Sequence, residues 1–216
     1  ARGEADALLT GVVGRFHKKL GYVRSLIELD PGVQSTSAMT GVINNQGAYF
    51  FLDTHVQDDP TAEQIAEATL QATYRLKLFG IEPKVALLSH SNFGSHDTPG
   101  AQKMRKVREL LKQRMPKLEV DGEMQGDTAW DEVLRKRMMP NTTLNGRANL
   151  FVLPNIDAAN ITYNMVRVMT DGVAIGPILM GISKPVHILT SSATPRRVVN
   201  MTAIAAVDAQ IRAQQK

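Results

Sequence analysis

The stretch Lys84-Val85-Ala86-Leu87-Leu88-Ser89-His90-Ser91-Asn92-Phe93-Gly94-Ser95 changes character part-way along. Its first five residues are almost continuously apolar, as suits a strand buried on both faces. The next seven are rich in hydroxyls and include a glycine. A helical pattern then runs from Pro99 to Gln113, with Met104, Val107 and Leu111 spaced three and four apart. Strand, polar loop and amphipathic helix in succession form the building unit of an α/β sandwich with a mostly parallel sheet. Outward from this unit the pattern repeats. Further strands are expected at Ala7–Thr10, Ala48–Leu52, Leu118–Asp121, Asn149–Leu153 and Val186–Leu189. A helix is expected to start at Asp59-Pro60, with Asp59 as N-cap, and to end before Gly80, turning Ile65, Leu70, Leu76 and Phe79 inward. Two more are expected over Ile156–Met169 and from Pro195 to the C-terminus.

Composition narrows the function classes. The 216 residues are 43% hydrophobic and 21% charged, which excludes disorder, collagen-like repeats and disulfide-stapled scaffolds. Cysteine is absent, so disulfides, thiolate metal sites and a cysteine nucleophile are excluded. The net charge of +4 is too mild to imply nucleic acid. The basic run Lys103, Arg105, Lys106, Arg108, Lys112, Arg114 lacks interleaved aromatics and reads as a solvated helix face. The five histidines show no His-x-x-x-His spacing, so no metal site is expected. No apolar run is long enough to span a membrane, and Ala1–Asp6 does not read as a signal peptide. The expectation is a cytoplasmic domain with neither nucleic-acid nor membrane partners.

In this fold class ligands gather where strands end and helices begin. Four junctions qualify. Ser89, Ser91 and Ser95 suit either phosphate oxygens or helix capping. The segment Leu189-Thr190-Ser191-Ser192-Ala193-Thr194-Pro195-Arg196-Arg197 places two arginines in the first turn of a helix. Cations there oppose the helix dipole, which either an anion or outward-reaching guanidiniums would relieve. Asn155 or Asp157 is an N-cap or a ligand contact. Finally, Gly172-Val173-Ala174-Ile175-Gly176-Pro177-Ile178 contains glycines that permit tight turns bordering a ligand. Asp53-Thr54-His55 reads as capping and surface hydrogen bonding, since no nucleophile accompanies it.

At these junctions the sequence resembles the phosphate acetyl/butyryltransferase family. The matching stretches are Leu87–Ser95, Glu119–Gln125, Ala148–Asn155, Gly176-Pro177-Ile178 and Lys184-Pro185, in order from about Ala7 to Gln210. Phe51–Val56, Gly80–Ser95 and Lys184–Thr190 make it most similar, within that family, to the C-terminal domain of hybrid, NADP-dependent malic enzymes. The resemblance implies a two-lobed α/β/α sandwich of the phosphotransacetylase and isocitrate-dehydrogenase kind, mostly parallel in its sheets. Residues 1–30 with 182–216 would form part of the first lobe, 31–181 the second, and the cleft between them would bind acyl-CoA or acyl phosphate. It also implies a homo-oligomer attached to an upstream malic enzyme domain, which would hold the NADP and divalent metal. No cofactor is expected in this domain itself. The contact residues it suggests are Ser89, Ser91, Ser95, Asn155, Gly176, Pro177, Lys184, Thr190, Ser191, Arg196 and Arg197.

The departures from the family pattern bear on activity. Active acetyltransferases of the family carry Ser-Arg after the Lys-Pro strand, then an Asp that acts as base toward the CoA thiol. Aligned through Lys184-Pro185, these fall on Thr190, Ser191 and Arg197, and a further family arginine is lost near Gly21. A guanidinium stays protonated and cannot be a general base. The resemblance therefore implies a non-catalytic domain that binds acetyl-CoA as an effector, with an active phosphate acetyltransferase as the alternative.

Overall fold

The computed structural model describes residues 4–214. In chain order, β1 (Leu8–Gly11) and α1 (Phe16–Leu26) precede a hairpin of β2 (Ser37–Asn44) and β3 (Gly47–Leu52). Then come α2 (Ala62–Leu78), β4 (Lys84–Leu88), α3 (Pro99–Arg114) and β5 (Glu119–Met124). Two short helices, α4 (Gly126–Trp130) and α5 (Glu132–Met138), lead to β6 (Leu150–Val152) and α6 (Ile156–Met169). The last elements are β7 (Val173–Met180), β8 (Val186–Leu189) and α7 (Pro195–Gln214).

Six strands form one sheet in the order β5-β4-β6-β3-β2-β7. The pairs β5–β4, β4–β6 and β6–β3 are parallel, whereas β2 runs antiparallel to both β3 and β7. A second, two-stranded parallel sheet pairs β1 with β8. The α/β class and the largely parallel sheet follow the sequence pattern. The pleat explains the continuous apolar runs, because neighbouring residues enter different cores. Val85 and Leu87 of β4 pack with Ile65 and Leu76 of α2 and Met104, Val107 and Leu111 of α3. Ala86 and Leu88 enter the opposite core with Phe151, Ala159 and Tyr163. Leu20 and Val23 of α1 pack on Val186 and Ile188 of β8.

Three local expectations are corrected. The N-cap of α2 is Thr61, not Asp59. Thr61 and Gln64 form a reciprocal capping box, while Asp59 pairs with Lys103 Nζ at 2.7 Å. The hairpin strand β2 has no counterpart in the expected elements. The glycine stretch from Gly172 forms most of β7, an edge strand where Pro177 is tolerated. Gly176 has a steric reason there: a Cβ would lie 2.8 Å from the Met39 carbonyl oxygen.

Helix α7 is tied down at its far end by a buried charge cluster. Asp208 pairs with Arg75 of α2 and lies 3.3 Å from His187 Nε2. The His187 Nδ1 accepts the Leu179 N–H (3.2 Å), which leaves Nε2 to carry the proton toward Asp208. Burial, then the charges of Arg75 and Arg212, push His187 down to about 3, so the ring is neutral. Arg212 adds a pair with Asp30 at 3.0 Å. Among the described residues no helix is long and apolar enough to cross a membrane.

Candidate functional site

The structure brings Thr190 and Arg197 together, at the end of β8 and in the first turn of α7. The Arg197 side chain is largely buried, the residue being 7% exposed. It donates from Nη1 to Thr190 Oγ1 (3.5 Å) and from Nη2 to the Tyr163 hydroxyl of α6 (3.3 Å). Thr194 Oγ1 accepts the Arg197 backbone N–H (3.3 Å), as an N-cap does. No acidic residue occupies the first turn of α7, so these partners of a buried cation are neutral hydroxyls. Ser191 is exposed on the same loop, and Thr190 Oγ1 lies 3.0 Å from Ser192 Oγ.

Beside this point Arg196, Arg197 and Arg167 line a groove of about 380 Å³ with Thr194 and Asn200. Asp171 is the single carboxylate among the lining residues. Three guanidiniums, a helix N-terminus and hydroxyl and amide donors are the groups that a multiply charged anion would need.

The Arg197 charge also reaches the end of β3. Burial and then Arg197 and His17 hold His55 down at about 4, so its ring is neutral near pH 7. Nδ1 of His55 shares a hydrogen bond with Thr54 Oγ1 (2.7 Å), which lies 3.1 Å from Thr40 Oγ1. The ring packs against Phe16 of α1, with centroids 5.2 Å apart. Burial raises the Tyr163 hydroxyl, against the opposing pull of Arg197 and Arg167. Asp53 accepts backbone N–H bonds from Ala38 (3.0 Å), His55 (2.9 Å) and Val56 (3.1 Å). Its burial pushes it up to about 7, and those three donors pull the other way. This carboxyl shapes the turn after β3.

The serine loop is organised differently. Ser91 is buried and donates to Glu123 Oε1 (2.8 Å) while accepting the His96 N–H (3.1 Å). The Gly94 N–H and Arg105 Nη1 reach the same carboxylate oxygen at 2.8 and 2.9 Å. Ser89 Oγ accepts the Ser91 N–H (3.3 Å), and Ser95 Oγ accepts the Asn92 N–H (2.9 Å). Glu123 thus occupies the centre of the loop where an external anion would sit. This loop follows β4, four strands from β7 in the sheet. None of these hydrogen bonds of the loop reaches Thr190, Arg196 or Arg197.

The other candidates are scattered. Asn155 is the N-cap of α6, its Oδ1 accepting the Ala158 N–H at 2.9 Å. Gly176 and Pro177 are buried in β7, and the Gly176 N–H meets Met201 Sδ at 3.1 Å. Lys184 is exposed ahead of β8, at the opposite end of that strand from Thr190, and lines a separate groove with Leu8 and Leu26. Sequence reasoning missed Arg167, Tyr163 and Asn200. Asn200 lies three and four residues after Arg197 and Arg196, the spacing of one helix face, whereas Tyr163 and Arg167 come from α6 and only the topology brings them to α7.

Comparison with known proteins agrees with the fold. The family model described as Phosphate acetyl/butaryl transferase matches residues 1–206. The NADP-dependent malic enzyme of Escherichia coli (strain K12) is 50% identical over 210 residues, covering 97% of this chain and 28% of that protein. The NAD-dependent malic enzyme of Rhizobium meliloti (strain 1021) is 53% identical over 207 residues, 96% of this chain and 27% of that protein. The chain thus spans little more than a quarter of the curated relatives it matches. Among solved structures, a phosphotransacetylase from Streptococcus pyogenes superposes with a TM-score of 0.87 at 29% identity, over 98% of this chain and 64% of that one.

Proposed function

The chain belongs to the phosphate acetyl/butaryl transferase family, and from that premise we propose that it is a non-catalytic, acetyl-CoA-binding regulatory and assembly domain of a malic enzyme. One observation carries the reading. At the position where the resemblance expects a carboxylate base stands Arg197, a buried cation among neutral partners beside an arginine-lined groove. That arrangement cannot deprotonate a thiol, but it suits the phosphates of a CoA thioester. Oxidative decarboxylation of malate, with its NADP and divalent metal, would belong to a part of the parent protein outside this chain, in the cytoplasm. The relatives' names include both NADP- and NAD-dependent enzymes. The two sheets would then be the cores of two lobes, with the β1–β8 lobe completed by upstream residues.

Acetyl-CoA in the groove would bias the arrangement of lobes or subunits. A coupling of about 1–3 kcal/mol is enough to regulate a distant site. Inhibition is the expected sign, since malic enzymes feed carbon toward acetyl-CoA. Calorimetric titration of the chain with acetyl-CoA should show saturable binding, and none at millimolar ligand overturns the reading. A phosphate acetyltransferase remains the second reading, favoured by the phosphotransacetylase likeness. That reading needs a base other than Arg197 for the CoA thiol. Formation of acetyl phosphate from acetyl-CoA and phosphate above background would establish that reading instead.

A further inference from the structure

Away from the arginine groove, a cavity of about 290 Å³ lies between the turn after α1, the second half of α2, the end of β7 and the far end of α7. That size is at the low end of small-molecule sites, room for a small metabolite rather than a CoA thioester. Val33, Leu78, Met180 and Ile211 supply its apolar wall. Its charged groups number two of each sign, Arg75 and Arg212 against Asp30 and Asp208, and the neutral His187 ring beside them adds none. The two ion pairs are not equally complete. Arg212 donates to both oxygens of Asp30 (3.0 and 3.3 Å) and to the carbonyls of Ile182 (2.7 Å) and Ser183 (3.1 Å). Arg75 is buried, and among the described residues Asp208 is its one ion-pair partner. A guanidinium has five N–H donors, so one carboxylate does not use them up. Burial, then the charge of Arg212, pulls Arg75 down to about 10, a pull that an added anion would offset. Asp30 stands on the rim, only partly buried, and its carboxylate can accept more bonds than the two from Arg212.

We propose that this cavity binds a free amino acid with an apolar side chain. The ligand's carboxylate takes the Arg75 guanidinium, its ammonium takes the Asp30 carboxylate, and its side chain lies on the wall of Val33, Leu78, Met180 and Ile211. Charge balance selects the zwitterion. The charges of the cavity already cancel, so a zwitterion enters without leaving an unpaired charge in a half-buried site, whereas a simple acid or a simple amine leaves one. The wall selects the side chain, because a polar group laid against it would lose its water without gaining a partner. The cavity shares no lining residue with the arginine groove, so the proposal stands apart from the acyl-CoA reading.

Calorimetry of the full chain with L-leucine tests the proposal, with isocaproate and isoamylamine as the same skeleton lacking one charge or the other. Leucine should bind saturably and about tenfold or more tighter than either analogue. Asp30→Asn should weaken leucine by about tenfold and leave isocaproate unchanged. Leu78→Trp, which fills the cavity and leaves its four charges in place, should abolish leucine binding, with the circular dichroism spectrum and the acetyl-CoA titration unchanged. Isocaproate bound as tightly as leucine overturns the zwitterion assignment, and leucine binding that survives Leu78→Trp overturns the location. No saturable binding of leucine or methionine at millimolar concentrations overturns the site altogether, whatever the chain does with acetyl-CoA.

Discussion

The loop after β4 folds its hydroxyls around a buried carboxylate, Glu123, whereas the loop before α7 presents its hydroxyls to a buried guanidinium, Arg197. Both are serine- and threonine-rich segments between a strand and a helix. Their difference lies in the sign of the charge beneath them. A negative centre consumes the donors of the loop and closes it. A positive centre with neutral partners keeps an unmet demand for an anion. Glu123 is 1% exposed and gathers Ser91, the Gly94 N–H and Arg105. It is therefore the structural half of the pair, and Arg197 is the half to which the proposed function assigns the ligand.

Substitution at each centre should separate the two roles. The largest effect is expected for Glu123→Ala, which leaves Arg105 without that partner and removes an acceptor shared by three donors. Arg105 keeps Asp97, but leaving the buried Ser91 hydroxyl and the Gly94 N–H without their acceptor costs about 3 kcal/mol. A thermal melt should then drop by roughly 6–12 °C for a chain of this size, with acetyl-CoA affinity in the surviving folded fraction little changed. Arg197→Gln should do the reverse. Affinity measured by calorimetry should fall at least tenfold, about 1.4 kcal/mol, with a smaller change in the melt. If Glu123→Ala abolished binding while Arg197→Gln left it intact, the assignment of roles would be inverted.

A third effect within the same contrast is spread over pH. Folded His55 takes up its proton only near pH 4, the unfolded side chain near 6.5. Between those values the unfolded chain holds more protons, so the stability from neutral His55 is complete above 6.5 and is lost as pH falls toward 4. His187 acts in the same direction, from 6.5 down to about 3. Asp53 opposes both, because its folded value of about 7 lies above the ordinary 3.8, and stability declines as pH rises between them. Urea melts across pH 4–6.5 should show wild-type stability falling on acidification. His55→Asn should flatten that slope by at most about 1.4 kcal/mol per pH unit. An unchanged slope would remove His55 from the positive centre.

What was readable in the sequence was whatever local pattern determines. The β4 run and the Met104, Val107, Leu111 spacing predict a two-faced sheet because burial imposes those periods. Asn155 is legible as a cap, and Arg197 as a cation set against a helix dipole. Strand β2 was not legible, since Ser37, Thr40 and Gly41 interrupt its apolar pattern while being buried or packed in the sheet. The closure of the serine loop was hidden as well. Ser91 and Glu123 are 32 positions apart, and only the parallel pairing of β4 with β5 makes them neighbours. Tyr163 and Arg167 meet Arg197 across α6 and the first turn of α7 through side chains alone, which no local signal encodes.

Helix α7 touches Arg197's surroundings with its first turn and grips Arg75 and His187 through Asp208. Those two points lie roughly 16 Å apart along one unbroken helix. It therefore behaves as a crossbar pinned at both ends by buried charge. A ligand drawn to the guanidinium at one end would act on the same helix that Arg75 and His187 hold at the other.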